Sequence, residues 1–366
     1  MSLSVNTTPT RPIPLPVDEG AAGRFSDRVA ALIDGGAVVM MMAVGHRSGL
    51  FDTLARLPPS TSAEIAEAAA LAERYVREWL SVMATGNIVE YAPETQTFWL
   101  PPEHAACLTR DGSLGNLAVY AQFVALMGQV QERTLECFET GAGLCYHDYP
   151  DFHRVMSEDS NQTVVAQLFT ELLPLVPGLT ARLEAGIDVL DAGCGRGKAL
   201  IAMARRYPRS RFTGYDLCAD AISDAQTDAA AAGLGNVRFE VLDLSRFEER
   251  ACYDFLVSFD AVHDQKDPQD LLRRLRRALR PGGSYLMQDI GGSARLENNL
   301  DFPMASLLYA ISCMHCTPVS LGQGGAGLGT MWGWETAEAM LHAAGFDDVR
   351  RHVLPHDPMN VWFVAR

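Results

Sequence analysis

The spacing of apolar residues changes near the middle of the chain and divides it into two kinds of structure. Before residue 183, apolar positions recur every three or four residues, which is the period of helix faces. After Ile187, helical stretches alternate with short apolar runs: IDVLDA, RFTGYD, VRFEVLD, YDFLVSF and SYLMQDI. Helices are predicted to begin at Lys198, Ala219 and Pro268, and a last helix over 336–344 precedes strands near Val349 and Val361. This alternation predicts a parallel sheet with helical crossovers.

The first half is predicted to contain a winged helix. Apolar residues have helical spacing over 25–57, and residues 38–44 are apolar almost all round, which predicts a helix buried on several sides, with a second copy of the chain as one candidate partner. Thr61 and Glu64 form a capping-box pattern that opens a helix, and a further helix follows over 75–83. Strand-like runs at 88–91 and 97–100 then complete a hairpin.

A glycine-rich turn follows the first strand of the second half. Asp191 ends this strand, and Gly193, Gly195 and Gly197 come directly after it, while Asp216 ends the next strand. Glycines let the backbone turn sharply and approach a ligand closely. A carboxylate at the end of the neighbouring strand can accept both hydroxyls of a ribose. The pattern favours a nucleoside pocket, and an ordinary tight turn between strand and helix is the alternative.

Two phosphate-binding loops fit the same glycines less well. A dinucleotide loop needs a third small residue where Lys198 stands. A P-loop needs a leading glycine where Ala192 stands and a hydroxyl where Ala199 stands. Neither phosphate loop is therefore predicted.

Composition limits the partners. The 366 residues include 30 lysines and arginines against 45 aspartates and glutamates, a formal charge of −15 that disfavours nucleic acid. The winged-helix segment 61–100 has two arginines, no lysines and six glutamates, which favours dimerisation and capping of a substrate over DNA binding. The first 20 residues lack a signal or anchor pattern, and the apolar stretches at 37–44 and 305–314 are too short to span a bilayer, so no membrane partner is predicted.

The eight cysteines are scattered through apolar stretches, which favours free thiols and a cytoplasmic location. Cys313 and Cys316, with His315 between them, have metal-like spacing, but no second pair completes four ligands. The sequence therefore predicts no metal.

Four motifs in the second half are DAGCGRG, the acidic end of GYD, VLDL at 241–244 and LRPGG at 279–283. By these motifs, residues 187–366 resemble a class I S-adenosylmethionine-dependent methyltransferase. The whole chain resembles small-molecule O-methyltransferases with a winged-helix dimerisation domain, and uncharacterised bacterial members in particular. The resemblance implies an α/β fold with a Rossmann-like seven-stranded sheet and four regions: a disordered lead-in (1–20), a winged-helix-like domain (21–112), a helical connector beside the substrate pocket (113–183) and the catalytic domain (184–366).

The same resemblance implies the site residues. S-adenosylmethionine is expected to contact Asp191, Gly193, Gly195, Asp216, Leu217, Asp243, Leu244, Phe259 and Asp260. His263 stands where the family has its general base, in the triplet His-Asp-Gln instead of His-Asp-Trp. No glutamate matches the acids that orient the family's histidine, although Asp289 and Glu335 lie nearby in the pattern. The alternative is a loop histidine that bonds to backbone or caps the helix at Pro268.

Together with these patterns, the resemblance implies a homodimeric methyltransferase that methylates a small, aromatic or apolar acceptor, with oxygen favoured over nitrogen or carbon. A ligand-sensing winged-helix transcriptional regulator that retains the fold is the alternative. Two segments stay open. Aromatic residues within 145–153 wall a pocket or pack a loop, and the glycine-rich segment 320–334 is a lid or a plain connector.

Overall fold

The computed structural model describes residues 17–366, which form two compact units that meet in sequence at Pro101 and Pro102. Most of the predicted lead-in over 1–20 lies outside the described residues, and its last two residues already belong to the first helix. The predicted boundary after residue 112 falls eleven residues beyond the division between the units, because the helix that begins at Pro102 belongs to the second unit.

The first unit combines helices with one hairpin. Its elements are α1 (Glu19–Ser48), α2 (Leu50–Leu54), α3 (Ser62–Ala69), α4 (Glu73–Thr85), β1 (Glu90–Ala92) and β2 (Thr97–Trp99). Thr61 and Glu64 form the predicted capping box at the start of α3. Trp79 of α4 is buried against Phe51 of α2, with ring centroids 5.2 Å apart, and its indole N–H donates to the Met41 carbonyl oxygen at 2.8 Å. These contacts fix α1, α2 and α4 against one another.

The predicted burial of α1 on several sides is wrong within this chain. The helix ends at Ser48 because Gly49 adopts a left-handed φ of 76°, and most of its apolar residues face outward. Leu32 and Ile33 are 65% and 71% exposed, and only Ala43 is buried within 38–44. By length and composition alone, α1 is apolar enough to cross a membrane; the shorter stretches considered in the sequence understated its apolar length.

The second unit is an α/β domain. Among residues 102–366 its helices are α5 (Pro102–Leu108), α6 (Ala118–Gly128), α7 (Gln131–Thr140), α8 (Phe152–Ser160), α9 (Leu179–Ala185), α10 (Lys198–Arg206), α11 (Ala219–Ala231), α12 (Pro268–Ala278), α13 (Ala305–Ile311), α14 (Thr317–Gly322) and α15 (Trp334–Ala343). Its strands are β3 (Asp188–Ala192), β4 (Arg211–Asp216), β5 (Val237–Val241), β6 (Tyr253–Phe259), β7 (Leu279–Ile290), β8 (Val349–Leu354) and β9 (Asp357–Ala365).

These strands form one seven-stranded sheet in the order β5-β4-β3-β6-β7-β9-β8. Strands β3 to β7 are parallel, and β9 pairs antiparallel with both β7 and β8. Apolar side chains cover both faces, with Leu200 and Phe255 in one cluster and Leu272 and Tyr285 in the other. Chain order reverses between β3 and β6, which is where open parallel sheets place their ligands.

Candidate active site

Four aspartates meet at the carboxyl edge of the sheet. Asp191 is the last residue but one of β3, and Asp216 ends β4. Asp260 directly follows β6, and Asp243 lies two residues after the end of β5. A cleft of about 1020 Å³, open solvent included, runs along this edge. Its lining contains all nine residues predicted for cofactor binding: Asp191, Gly193, Gly195, Asp216, Leu217, Asp243, Leu244, Phe259 and Asp260.

The glycine turn is shaped by close packing and by its own hydrogen bonds. Gly193 has a φ of 83°, and a Cβ at this position would lie 2.5 Å from the Ala261 Cβ. Its amide donates to the Tyr215 carbonyl oxygen at 2.8 Å, and the Gly195 amide donates to the Asp216 carboxylate at 2.8 Å. The Gly197 amide is likewise satisfied within the loop. Because these three amides already donate within the protein, they are not available to cradle a phosphate, which agrees with a pocket for an uncharged sugar.

Two buried carboxyl groups in this cleft each have an oxygen atom without a hydrogen-bond partner. The Asp191 Oδ1 atom is buried and accepts no hydrogen bond, and burial together with the Asp216 charge raises the pKa of Asp191 to about 8. Asp260 has a strained φ of 49° and a buried Oδ1 atom without a partner, and burial beside Asp289 raises its pKa well above the usual range. The Arg196 Nε atom is a buried donor without a partner in the same cleft. A ligand with a cationic group would complement the two aspartates.

His263 lines a second cavity of about 660 Å³ and is 3% exposed. Its Nδ1 atom lies 2.8 Å from the Asp289 Oδ1 atom. The same carboxylate oxygen accepts hydrogen bonds from the Trp332 indole and the Ile290 amide, each at 2.9 Å. Asp289 therefore fixes the orientation of the imidazole ring through the Nδ1 atom. The other ring nitrogen, Nε2, is the one that does not bond to Asp289.

The electrostatic setting of His263 favours its charged form. Burial alone lowers the pKa of the imidazole, but the charge and hydrogen bond of Asp289 together with Cys316 raise the pKa well above its usual value. Of the two acids that lie nearby in the sequence, only Asp289 contacts the ring. Glu335 instead accepts from the Ser293 hydroxyl at 2.7 Å and the Ala294 amide at 3.0 Å. The alternative of a helix cap does not match this geometry, because Asp267 caps α12.

The aromatic segment before α8 contributes part of the wall. Tyr146, Phe152 and His153 line the cleft, and the Tyr146 hydroxyl donates to the Asp264 carboxylate at 2.6 Å. Phe152 also lines the second cavity, stacked on His315 with ring centroids 3.8 Å apart. His147 is exposed at the surface. Tyr149 is buried, and its hydroxyl donates to the Met314 carbonyl oxygen, so neither residue lines the cleft. Both interpretations of the segment therefore apply, to different residues.

Other residues of the second cavity carried no signal in the sequence. Tyr120, Asp159, Thr330 and Asn360 belong to four segments that are distant in sequence and meet only in the fold. His315 was noticed only for its metal-like spacing with the two cysteines. Among residues 17–366, no group of three His, Cys, Asp or Glu side chains is arranged to hold a metal ion.

The glycine-rich segment 320–334 is packed against the loop that carries His263. The Ser320 hydroxyl donates to the Gln265 carbonyl oxygen at 3.0 Å, and the Ala326 amide donates to the Lys266 carbonyl oxygen at 3.2 Å. A Cβ on Gly325 would lie 2.7 Å from the Lys266 backbone, so close contact explains this glycine. The segment delivers Trp332 to Asp289 and so forms part of the site.

Comparison with known proteins identifies both halves. Residues 36–110 match an Rv2258c-like winged helix-turn-helix domain, and residues 183–345 match a methyltransferase domain. The first half therefore contains a winged helix-turn-helix domain, the second half contains a methyltransferase domain, and the chain has the fold of class I methyltransferases. The solved structure of human N-acetylserotonin methyltransferase is similar to 96% of this chain and 99% of its own, at 16% identity and a TM-score of 0.66. The solved structure of mitomycin 7-O-methyltransferase is similar over 95% of this chain and 99% of the length of the other chain, at 19% identity and a TM-score of 0.64.

Relatives found by sequence match less than half of this chain. A probable (S)-tetrahydroprotoberberine N-methyltransferase of Papaver bracteatum is 25% identical over 169 residues, which cover 44% of each chain. A trans-aconitate 2-methyltransferase of Deinococcus radiodurans is 36% identical over 101 residues, 28% of this chain and 37% of its own. The matched region spans less than half the length of these relatives, and their acceptors differ widely.

Proposed function

We propose that this protein is an S-adenosylmethionine-dependent methyltransferase that methylates an oxygen of a small, aromatic or apolar acceptor. The observation that carries this proposal is the adjacency of two cavities with different chemistry. One is the acidic cleft at the carboxyl edge of a methyltransferase sheet, and the other is a mainly apolar cavity lined by His263, whose Nδ1 atom contacts Asp289 behind the wall. Asp260 and Asp264 line both cavities, so a methyl donor in the first would lie beside an acceptor in the second.

The cleft fits S-adenosylmethionine on its own residues. Asp216 ends β4 and is held by the Gly195 and Cys218 amides, at 2.8 and 2.9 Å, as a rigid acceptor for the ribose hydroxyls. The partnerless oxygens of Asp191 and Asp260 suit a cation, and the partnerless Arg196 Nε atom suits a carboxylate. When bound, S-adenosylmethionine supplies a methyl group on a positively charged sulfur atom. Solved neighbours of this fold include complexes with this compound and with its demethylated product.

The second cavity supplies the proton acceptor. Methylation of a hydroxyl requires that the oxygen lose a proton, and a positioned imidazole can take it. Asp289 holds the Nδ1 atom of His263, so the Nε2 atom is the nitrogen that accepts the proton. The negative charge of Asp289 then stabilises the imidazolium that forms. Because the cavity is mainly apolar, it also excludes water from the reacting atoms.

Two variants test these roles separately. Calorimetric titration with S-adenosylhomocysteine should show an affinity loss of about 10-fold or more for Asp216→Ala, which removes hydrogen bonds to a charged group, and little change for Asp220→Ala outside the cleft. His263→Ala should keep this affinity and lower turnover by about 100-fold or more. Unchanged affinity in Asp216→Ala would remove that residue from the cofactor site, and full activity in His263→Ala would exclude the base.

We further propose that the protein is a homodimer assembled through α1. The outward side chains of this helix include Phe25, Leu32, Ile33, Met40 and Val44, an apolar surface that a second copy of the same helix would cover. The two arginines of the winged-helix segment are both paired with glutamates, Arg74 with Glu78 and Arg77 with Glu73 at 3.1 Å, which supports a role in assembly instead of DNA binding. None of the eight cysteines, all within the described residues, forms a disulfide, in keeping with a reducing cytoplasm.

Sedimentation measurements test the dimer. The double variant Leu32→Asp and Ile33→Asp should sediment as a monomer, because each subunit would place charges in the shared apolar surface. Tyr75→Asp, which changes a residue that is 81% exposed on α4, is the matched control and should remain dimeric. A wild-type protein that is monomeric, or that partitions into added lipid vesicles through α1, contradicts the proposal.

A further inference from the structure

The polar atoms that line the second cavity are mainly hydrogen-bond acceptors that lack donors. Asn360 is 4% exposed, and its amide nitrogen donates to both Asp357 oxygens, at 3.0 and 2.9 Å, so its Oδ1 atom has no partner. The Asp159 Oδ1 atom and the His315 Nε2 atom are likewise buried without partners. A buried acceptor without a donor is unfavourable, so each of these atoms would gain from a ligand that donates a hydrogen bond to it.

The same cavity contains three acids, and His263 is the one positively charged side chain of the described residues in its lining. Asp159, Asp260 and Asp264 line it, and no lysine or arginine of the described chain does so. Burial, with the nearby Asp357 charge, raises the pKa of Asp159 to about 6 although Tyr120 and Gln162 donate to its carboxylate. Asp159 is therefore ionised at pH 8 and neutral at pH 5. The one extra base, His315, is uncharged, because burial and two neighbouring histidines lower its pKa to about 3.

The remaining wall of the cavity is apolar. Phe123, Leu307, Leu308 and Ile311 line it beside Phe152. A molecule that fills this space needs an apolar body, and it needs donors or a positive charge at the acceptor atoms of Asp159 and Asn360. A carboxylate or phosphate in the same place would face like charge and no donor, which disfavours acidic acceptors.

We propose that the methyl acceptor is an apolar, aromatic amine whose protonated nitrogen is held by Asp159 and Asn360 while its hydroxyl faces His263. This inference rests on the proposed function and specifies its substrate class. The ammonium group supplies the donors that the two residues lack and the charge that balances the carboxylate. The nitrogen serves as the handle that orients the molecule, and the oxygen remains the methylated atom.

The charge of the ligand tail provides the test. We would titrate the full-length protein, saturated with S-adenosylhomocysteine, with three phenols of similar size: tyramine, para-propylphenol and para-hydroxyphenylacetate. At pH 8 tyramine should bind about 10-fold or more tightly than the neutral phenol, as expected for a charge-assisted hydrogen bond, and the carboxylate should bind most weakly. Asp159→Asn should remove the advantage of tyramine. Glu158→Gln, a neighbour that lines neither cavity, should keep it.

A second arm uses pH. The groups that face Asp159 are Tyr120 on α6, Asp357 on β9 and Asp260 after β6. Because the pKa of Asp159 is raised to about 6, the preference for tyramine should be full at pH 8 and fall as the pH drops below 6. The wild-type ranking stands even if Asp159→Asn fails to fold.

The outcomes separate this inference from the proposed function. Equal affinities for the three phenols, a preference for the carboxylate, or no measurable binding of tyramine overturns the inference. If S-adenosylhomocysteine does not bind, the proposed function fails, and the same three titrations without it still decide whether the cavity selects an ammonium group. Tyramine as the tightest ligand, with the preference lost in Asp159→Asn, supports it.

Discussion

Removal of the negative charge behind His263, by Asp289→Asn, should slow methyl transfer without weakening cofactor binding. The carboxylate oxygen at 2.8 Å from the Nδ1 atom makes a charge-assisted hydrogen bond, which contributes about 1.5–3 kcal/mol. If this stabilisation grows as the imidazole takes the proton, its loss lowers kcat by about 10- to 100-fold, at about 1.4 kcal/mol for each factor of ten. Asparagine keeps the oxygen that the Trp332 indole and the Ile290 amide contact, so the fold should be retained.

The assay is steady-state turnover over a pH series, with an acceptor identified by screening small phenols. Because Asp289 raises the pKa of His263, its removal should move the pH profile of kcat to lower pH while the plateau falls. Glu335→Gln is the matched control, since that acid contacts Ser293 and Ala294 but not the histidine. An Asp289→Asn enzyme with wild-type kcat and an unmoved profile, beside an inactive His263→Ala enzyme, would refute the positioning role.

Three further outcomes follow from the same structure. In the wild-type enzyme kcat should continue to rise as the pH increases beyond about 6.5, the ordinary pKa of histidine. The reason is that the raised pKa of His263 keeps its neutral, proton-accepting form scarce at neutral pH. A flat pH profile would show that no histidine titrates. Asp191→Asn should weaken binding of S-adenosylhomocysteine and raise the free energy of unfolding at pH 9 by more than about 1.4 kcal/mol, because a pKa raised to about 8 in the fold costs stability as the pH rises from the ordinary aspartate pKa of about 3.9 to about 8. Denaturant titration should show this gain grow from about pH 4 to about pH 8 and level off above it. Gly193→Val should lower stability by about 1–3 kcal/mol and abolish cofactor binding, whereas Gly195→Ala, where a Cβ meets nothing within 4 Å, should be milder in both thermal unfolding and titration.

The second half of the fold could be predicted because each of its strands is a local pattern. RFTGYD matches β4 residue for residue, and the helices at Lys198, Ala219 and Pro268 begin where expected. Asp191 and Asp216 lie near the carboxyl ends of neighbouring parallel strands, and such ends meet at one edge of the sheet. The residues that line the cleft could therefore be predicted from their positions in the sequence. Only β7 was underestimated: it extends back to Leu279 through a proline and two glycines that signal a turn in isolation.

The second cavity could not be predicted, because its residues come together only through tertiary packing. Asp159 lies on a helix with no motif, and Asn360 lies on the antiparallel strand β9. The partner of His263 was open between two acids until the sheet placed Asp289 on β7, beside the loop that follows β6. The exposure of α1 was also not predicted. A helix that is apolar on all sides is expected to be buried, but its sequence does not indicate whether the residues that cover it belong to the same chain.

Phe152, Met156, Asp260 and Asp264 belong to the walls of both cavities. Because the two cavities share these side chains, a compound that orders them by binding in one cavity changes the affinity for a ligand in the other cavity. Thermodynamic linkage requires that the second ligand changes the affinity for the first by the same factor. Donor and acceptor should therefore associate in a preferred order, with the methyl donor first if it immobilises Phe152. Product inhibition patterns would report that order directly, and substitution of Met156 should alter both Michaelis constants at once.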